Sequence, residues 1–354
     1  MACAAHPPRA EETAVLLQRA PRPADVVRAQ AAFDAWMANS RTHGATFRLL
    51  EVGPSRSALR ERLTVTVPAA WGANAVANRA AFVAQARDLF AAAILGHEPR
   101  SLGTPAATSP AATSITVLPD LDSRGKRWTW TTPRRPSHTR VLCDSSASTA
   151  GVACTPEAVL RAFDALLPGA TAPGSSFRVL LVGRSIDARS IFDVEVPELP
   201  LADRIGYLLG ARNELVDTLR QPHCCAGSDV AGAIAAAVSE LSDRRGDKNI
   251  VVLSDMRECA GPWSFDRRVP EQPRAFVAWL RSENLLPDCG GMIRVTVCGL
   301  HFGTIPGEKR SFRARDDSEL RTLWMQVFRT MHVQSVAMCS ACNADAFADP
   351  NGGR

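Results

Sequence analysis

Residues 163–183 read FDALLPGATAPGSSFRVLLVG, and residues 33–53 read FDAWMANSRTHGATFRLLEVG. The two stretches align without a gap and agree at nine of 21 positions, which in the earlier one are Phe33, Asp34, Ala35, Gly44, Phe47, Arg48, Leu50, Val52 and Gly53. Self-similarity of this kind marks a chain built from repeated structural units. Each copy ends in an apolar run bounded by turn residues, the pattern of a strand buried on both faces.

The match extends in order on either side. LTVTVP (63–68) pairs with FDVEVP (192–197), AFVAQARDL (81–89) with YLLGARNEL (207–215), and TSITVLPDL (113–121) with DKNIVVLSDM (247–256). Each copy therefore reads as helix, apolar strand, short second strand, helix and a strand ending in Asp. Strands that alternate with helices imply βαβ units and a mainly parallel sheet covered on both faces. SFRVLLVGRS and IFDVEVP are too close in sequence for a crossover helix, so they predict an antiparallel hairpin with its second strand at an edge.

The second copy continues where the first stops. PRAFVAWLRSENLL predicts a helix, MIRVTVCGL a buried strand, and DDSELRTLWMQVFRTM a strongly amphipathic helix. In the last, Leu320, Leu323, Trp324, Val327, Phe328 and Met331 recur with helical period on one apolar face, and Asp316 and Glu319 have capping-box spacing. The expected organisation is a flexible tail (1–12), a shortened α/β domain (13–122), a basic Pro-rich linker (123–138), a complete α/β domain (139–338) and a C-terminal tail (339–354).

Composition narrows the functional classes. The chain has 354 residues, 46% hydrophobic and 22% charged, with a formal net charge of +5. That is a globular composition, with length for two domains. Its longest uncharged apolar runs, such as LFAAAILG, fall well short of the ~20 residues that span a bilayer. Arg124, Lys126, Arg127, Arg134, Arg135 and Arg140 cluster around Trp128 and Trp130, a mixture that can hold nucleic acid. No nucleic-acid module surrounds them, and an edge strand RWTWTT followed by a Pro-rich linker is the better reading.

Ten cysteines are an even number, but a chain this large does not need a disulfide framework. Cys143 and Cys298 lie in apolar strand patterns and read as small core residues. Cys339-x-x-Cys342 has no second pair to complete a zinc site, and a disulfide or thiols fit it equally. MACAAHPPRAEE lacks the basic and apolar regions of a signal peptide. It resembles the sequence just after a bacterial lipoprotein cleavage point, which would imply an extracytoplasmic protein. Read as an ordinary tail, it leaves a cytoplasmic one.

In a doubly wound sheet, ligands gather at the carboxyl ends of the strands, near the switch in strand order. TRVLCD ends in Asp144 and NIVVLSDM carries Asp255, so both carboxylates are expected at one edge, Asp144 in a surface loop. Ser146 and Ser148 follow Asp144 at alternate positions, and Ser228 precedes a helix at the same edge. Two carboxylates and three hydroxyls suit a hard cation such as Mg²⁺, or Mn²⁺ or Ca²⁺. An acid phosphatase of the haloacid dehalogenase type would need an acid where Ser146 stands. His223 beside Cys224 and Cys225 has no oxyanion-hole signature to make it a nucleophile pair.

DSSAS, GSD and LSDM, in that order, resemble the metal-ion-dependent adhesion site of von Willebrand factor type A domains, found in integrin inserted domains and many bacterial proteins. The resemblance covers roughly residues 137–338, including the antiparallel edge strand. It implies metal ligation by Asp144, Ser146, Ser148, Ser228 and Asp255. It also implies a non-enzymatic module that captures a carboxylate of a protein partner. Ser228 stands where the family commonly has Thr, and Met256 follows Asp255 where it often has Gly. A metal-assisted hydrolase acting on a phosphate or ester, and a scaffold with a vestigial site, are the alternatives. In the first copy Gln18 falls near the place of Asp144, and Thr104 and Asp120 match Ser228 and Asp255, too few oxygens to hold a metal.

Overall fold

A computed structural model of the protein describes residues 12–19, 21–39, 44–68, 70–71, 75–96, 100–102, 112–118, 135–144, 146, 149, 153–183, 189–221, 228–258, 263, 265, 273–300 and 314–339. In chain order the elements are β1 (Glu12–Gln18), α1 (Pro23–Asn39), β2 (Thr46–Val52), β3 (Arg60–Thr66), α2 (Ala75–Ile94), β4 (Arg100–Leu102), β5 (Ala112–Leu118) and β6 (Ser137–Asp144). They continue with α3 (Pro156–Leu166), β7 (Ser176–Val182), β8 (Arg189–Glu195), α4 (Leu201–Leu219), α5 (Val230–Ser242) and β9 (Asp247–Leu253). The last are α6 (Pro273–Ser282), β10 (Ile293–Cys298), α7 (Ala314–Thr330) and β11 (Ser335–Cys339). The protein is mixed α/β with two mostly parallel sheets. It divides into two compact units, Met1–Trp130 with Glu198–Glu214, and Thr131–Pro197 with Leu215–Arg354.

The first unit is built on a sheet of order β4-β3-β2-β1-β5, in which only β2 and β3 run antiparallel. Period-two alternation divides its strands between two cores. Val15, Leu17, Phe47, Leu49, Leu63 and Val65 face Phe33 and Trp36 of α1 and Phe82 and Phe90 of α2. Ala14, Leu16, Leu50 and Val52 face the other way, onto Ala202, Ile205 and Leu209 of α4. The repeat aligns α4 with α2, yet residues 201–214 close the first unit's own sheet. Gly210 allows the close approach, since a Cβ there would lie 2.5 Å from the Ser55 carbonyl oxygen. Arg48 fixes the position electrostatically, with bonds of 2.7 and 2.9 Å to the two Asp203 carboxylate oxygens.

The second unit has a six-stranded sheet of order β11-β10-β9-β6-β7-β8. All its neighbours are parallel except β7 and β8, whose short connection requires antiparallel pairing, and β8 lies at the edge. Leu142, Leu180, Val182, Ile250, Val252, Val295 and Val297 pack with α5, α6 and α7 on one face. On the opposite face Phe163 of α3 meets Phe177 and Phe192.

The repeat is visible in three dimensions. Both hairpins shift register at the aligned place, between Leu49 and Leu50 and between Val179 and Leu180. Phe33 meets Phe47 edge-on with ring centroids 5.0 Å apart, and Phe163 meets Phe177 edge-on at 4.8 Å.

Several expectations are corrected. In the first unit the three-residue β4, a strand the sequence did not suggest, pairs with the outer side of β3. The strand β11 falls where the sequence suggests only the end of a domain; its five residues are half-exposed and too few for a clear period. The apolar face of α7 is buried as its spacing predicts. That helix begins at Ala314, however, so Asp316 lies inside the first turn and not at the cap. Arg140, counted in the basic cluster, is a buried residue of β6 whose Nε donates to Glu240 at 2.8 Å. Residues 121–134 lie outside the described residues. Among those described, no helix is long and apolar enough to cross a membrane.

Candidate metal centre

In the second sheet the first two strands of the unit, β6 and β7, build outward on one side, while β9 and β10 build outward on the other. The switch point therefore lies between β6 and β9, where a crevice forms beyond the carboxyl ends. Cys143 pairs with Leu253, so Asp144 and Ser254 leave the sheet side by side. Ser228 arrives from a third direction, because the Asp229 amide donates to the Gly183 carbonyl at 2.7 Å just beyond the end of β7.

These placements bring Asp144, Ser146 and Ser228 into one hydrogen-bonded cluster. Asp144 Oδ1 accepts from the Ser146 amide at 3.0 Å and from Ser228 Oγ at 2.9 Å. Its Oδ2 accepts from Ser254 Oγ at 2.7 Å. Asp144 is 0% exposed and ends β6, which corrects the expectation of a surface loop. Thr149 ties the following turn down: its hydroxyl lies 2.5 Å from the Asp144 carbonyl oxygen and 3.0 Å from that of Ser146. Ser148 lies outside the described residues, as do Thr104, Asp120, His223, Cys224, Cys225 and Cys342.

Asp255 follows Ser254 and is also buried. Its Oδ1 accepts the Arg257 amide at 3.1 Å, and the Arg257 guanidinium Nε lies 3.5 Å from Oδ2. Met256 takes a φ of 63°, in the left-handed region that glycine favours. The Asp-Met sequence thus keeps a backbone shape open to Asp-Gly. It is held by the Met256 amide on Ser254 Oγ and by Trp324 Nε1 on the Met256 carbonyl, both 2.9 Å.

Two further acids serve the helix. The Asp229 carboxylate accepts from the Gly232 amide and that of Glu258 from the Ala231 amide, at 2.7 and 2.8 Å, satisfying α5's opening N–H groups. Burial pushes the Asp229 carboxyl above its usual range, and the Gly232 bond opposes that rise. Among the described residues no group of three or more His, Cys, Asp or Glu side chains could hold a metal. The donors brought together here are of a different kind, the Asp144 carboxylate with serine hydroxyls, while the Asp255 carboxylate, at the end of the neighbouring strand, is held by Arg257.

Does that set fit a cation? A hydroxyl has one hydrogen and two lone pairs. Ser228 spends its hydrogen on Asp144, which leaves its lone pairs for a cation. Ser254 also donates to Asp144 but accepts the Met256 amide, so it positions the carboxylate. The all-oxygen chemistry and the buried negative charge fit Mg²⁺ or a similar hard ion.

Sequence reasoning missed Ser254, Thr149, Arg257 and Glu258. Ser254 alone carried a signal, as the residue before Asp255 at the end of a central strand. It also misread Cys143, which is buried as expected but joined in a disulfide to Cys154, with Cα atoms 5.2 Å apart.

No protein-family model matches the sequence, and no curated protein matches it. Among solved structures the chain is similar to the PilB minor pilin from Streptococcus sanguinis, with TM-score 0.39 and 13% identity, covering 70% of this chain and 68% of that one. It is also similar to the pilus adhesin SpaC from Lactobacillus rhamnosus GG, with TM-score 0.36 and 9% identity over 62% of this chain, which spans 30% of the adhesin. A third likeness is to proximal thread matrix protein 1 from the mussel byssus, with TM-score 0.28 and 9% identity over 94% of this chain and 93% of that one. Likenesses of this size carry neither family nor function.

Proposed function

We propose that the second unit is a non-enzymatic protein-binding module of the von Willebrand factor type A kind. In it Asp144, Ser146, Ser148, Ser228 and Asp255 hold Mg²⁺, or Mn²⁺ or Ca²⁺, and the partner contributes an exposed acidic side chain. The observation that carries this reading is the Ser228 hydroxyl donating to a fully buried Asp144 carboxylate at the switch point of the sheet. A divalent cation bound there supplies a coordination position that a partner's carboxylate oxygen fills.

The chain's own residues prepare the site before any partner arrives. Ser254 and the Ser146 amide hold the Asp144 carboxylate in one orientation. Thr149 keeps Ser146 within its turn, and the Gly183–Asp229 backbone bond brings Ser228 across from β7. Fixed oxygens of this sort lose little freedom when they bind, which favours affinity.

The reading is tested by retaining partners from the source cell on immobilised protein in Mg²⁺, eluting with EDTA, and repeating with Ser228→Ala. Release by EDTA and poor retention by the variant are expected. Retention that resists EDTA but dissolves in moderate salt would contradict the reading, since diffuse charge is screened and coordination is not.

A further inference from the structure

Cys143 stands immediately before Asp144 on the last rung of β6, and its disulfide to Cys154 closes the stretch that contains Asp144, Ser146 and Thr149. The far end of this loop is fixed as well. The Ala153 amide donates to the Thr149 carbonyl at 3.2 Å, and Ala153 is fully buried beside Gly299, where no Cβ would fit. Apart from Val152, the apolar residues within DSSASTAGVAC are alanines and the cysteine itself. In the first unit Leu17 occupies the register place of Cys143, and residues 19–22 contain no cysteine. The bond thus belongs to the very loop that sets the two units apart.

We infer that Cys143 and Cys154 are positioning residues of the cation site: their disulfide holds Ser146 against Asp144, and the site binds its ion tightly only in the oxidised protein. This rests on the reading of Asp144, Ser146 and Ser228 as cation ligands. Disulfides persist in oxidising compartments, and the site would be completed there. On reduction the S–S bond accepts two electrons and two protons from a dithiol, which itself becomes a disulfide, and two thiols result. Asp144 stays in its strand, but the turn at Ser146 loses its covalent closure and regains chain freedom.

The experiment begins with a non-reducing peptide map of the full chain, expected to show Cys143 linked to Cys154. Thiols at both positions would overturn the inference and leave the cation reading standing. Mg²⁺ is then titrated calorimetrically into oxidised protein, into protein held in dithiothreitol, and into Cys143→Ala/Cys154→Ala. The reduced protein and the double variant should bind about tenfold or more weakly, the scale on which loop closure acts, and re-oxidation should restore the wild-type affinity. A disulfide of merely structural value would lower the melting temperature and leave the affinity unchanged, which would overturn the inference. Should the double variant fail to fold, the wild type in dithiothreitol gives the same comparison. No Mg²⁺ binding by the oxidised protein would overturn this inference and the cation reading together.

Discussion

Where β1 passes into α1, the chain uses residues 19–22; where β6 passes into α3, it uses residues 145–155. The two strand ends are otherwise equivalent. Gln18 pairs with Val52 as Asp144 pairs with Val182, and each lies at the switch point of its sheet. The difference teaches that the repeated elements build equivalent strand ends, while in the second unit the longer loop brings Ser146 and Thr149 against Asp144. A scaffold of this kind can be duplicated without its function, because the residues that hold the sheet together are not those that fill its edge.

The equivalence can be broken most severely in the aromatic cores. Phe33→Ala and Phe163→Ala each remove a fully buried ring. Each should cost about 3–5 kcal/mol, measured by urea denaturation of the full chain. Costs that differ several-fold would mean that the two edge-on pairs do different work.

The strand ends should then behave oppositely. Asp144→Ala strips the partner from two buried hydroxyls and an amide and should cost about 3 kcal/mol. Gln18→Ala, at the half-exposed equivalent, should stay within about 0.5 kcal/mol. Equal effects would show that the buried carboxylate is not an organising centre. A smaller loss, about 1–2 kcal/mol, is expected for Trp324→Phe, which leaves the Met256 carbonyl without its indole donor.

The amino ends of β1 and β6 offer a comparison in pH. Glu12 pairs with Thr46 where His138 pairs with Ser176, positions that the repeat aligns. Burial is the main cause at both: it raises the Glu12 carboxyl above 4.5, against the pull of Arg48, and lowers the His138 imidazole below 6.5. For His138 the stabilising contribution is present above the unfolded value and is lost as pH falls through the folded one. For Glu12 it is present below the unfolded value and is lost as pH rises through the folded one. His138→Gln should therefore flatten the decline in stability as pH falls below 6.5, and Glu12→Gln the decline as pH rises above 4.5. The urea midpoint against pH gives the sign, and a steeper curve in either variant would contradict it.

Much of this was legible in the sequence because repetition and periodicity are local signals. The nine identities over residues 33–53 correspond to a shared hairpin register, and the face of α7 was readable from its spacing alone. What was not legible depended on tertiary placement. The helix α4 carries the repeat's pattern, yet closes the first unit through Gly206, Gly210 and Asp203, whose roles depend on a distant Leu59, Ser55 and Arg48. Cys143 reads as apolar filler within its strand, and only the fold brings Cys154 back to it. Ser254 and Thr149 have ordinary turn chemistry in sequence, and their hydroxyls acquire a purpose only from the carboxylate they surround.

The central claim is that Asp144, the turn that follows it and Ser228 make a cation site in the second unit that the first unit lacks. Calorimetric titration of the oxidised full chain with Mg²⁺, beside Asp144→Asn and Ser228→Ala, tests it most directly. One ion per chain is the predicted result, with binding abolished by the first substitution and weakened by the second. No binding, a second ion, or an affinity that survives Asp144→Asn would contradict it.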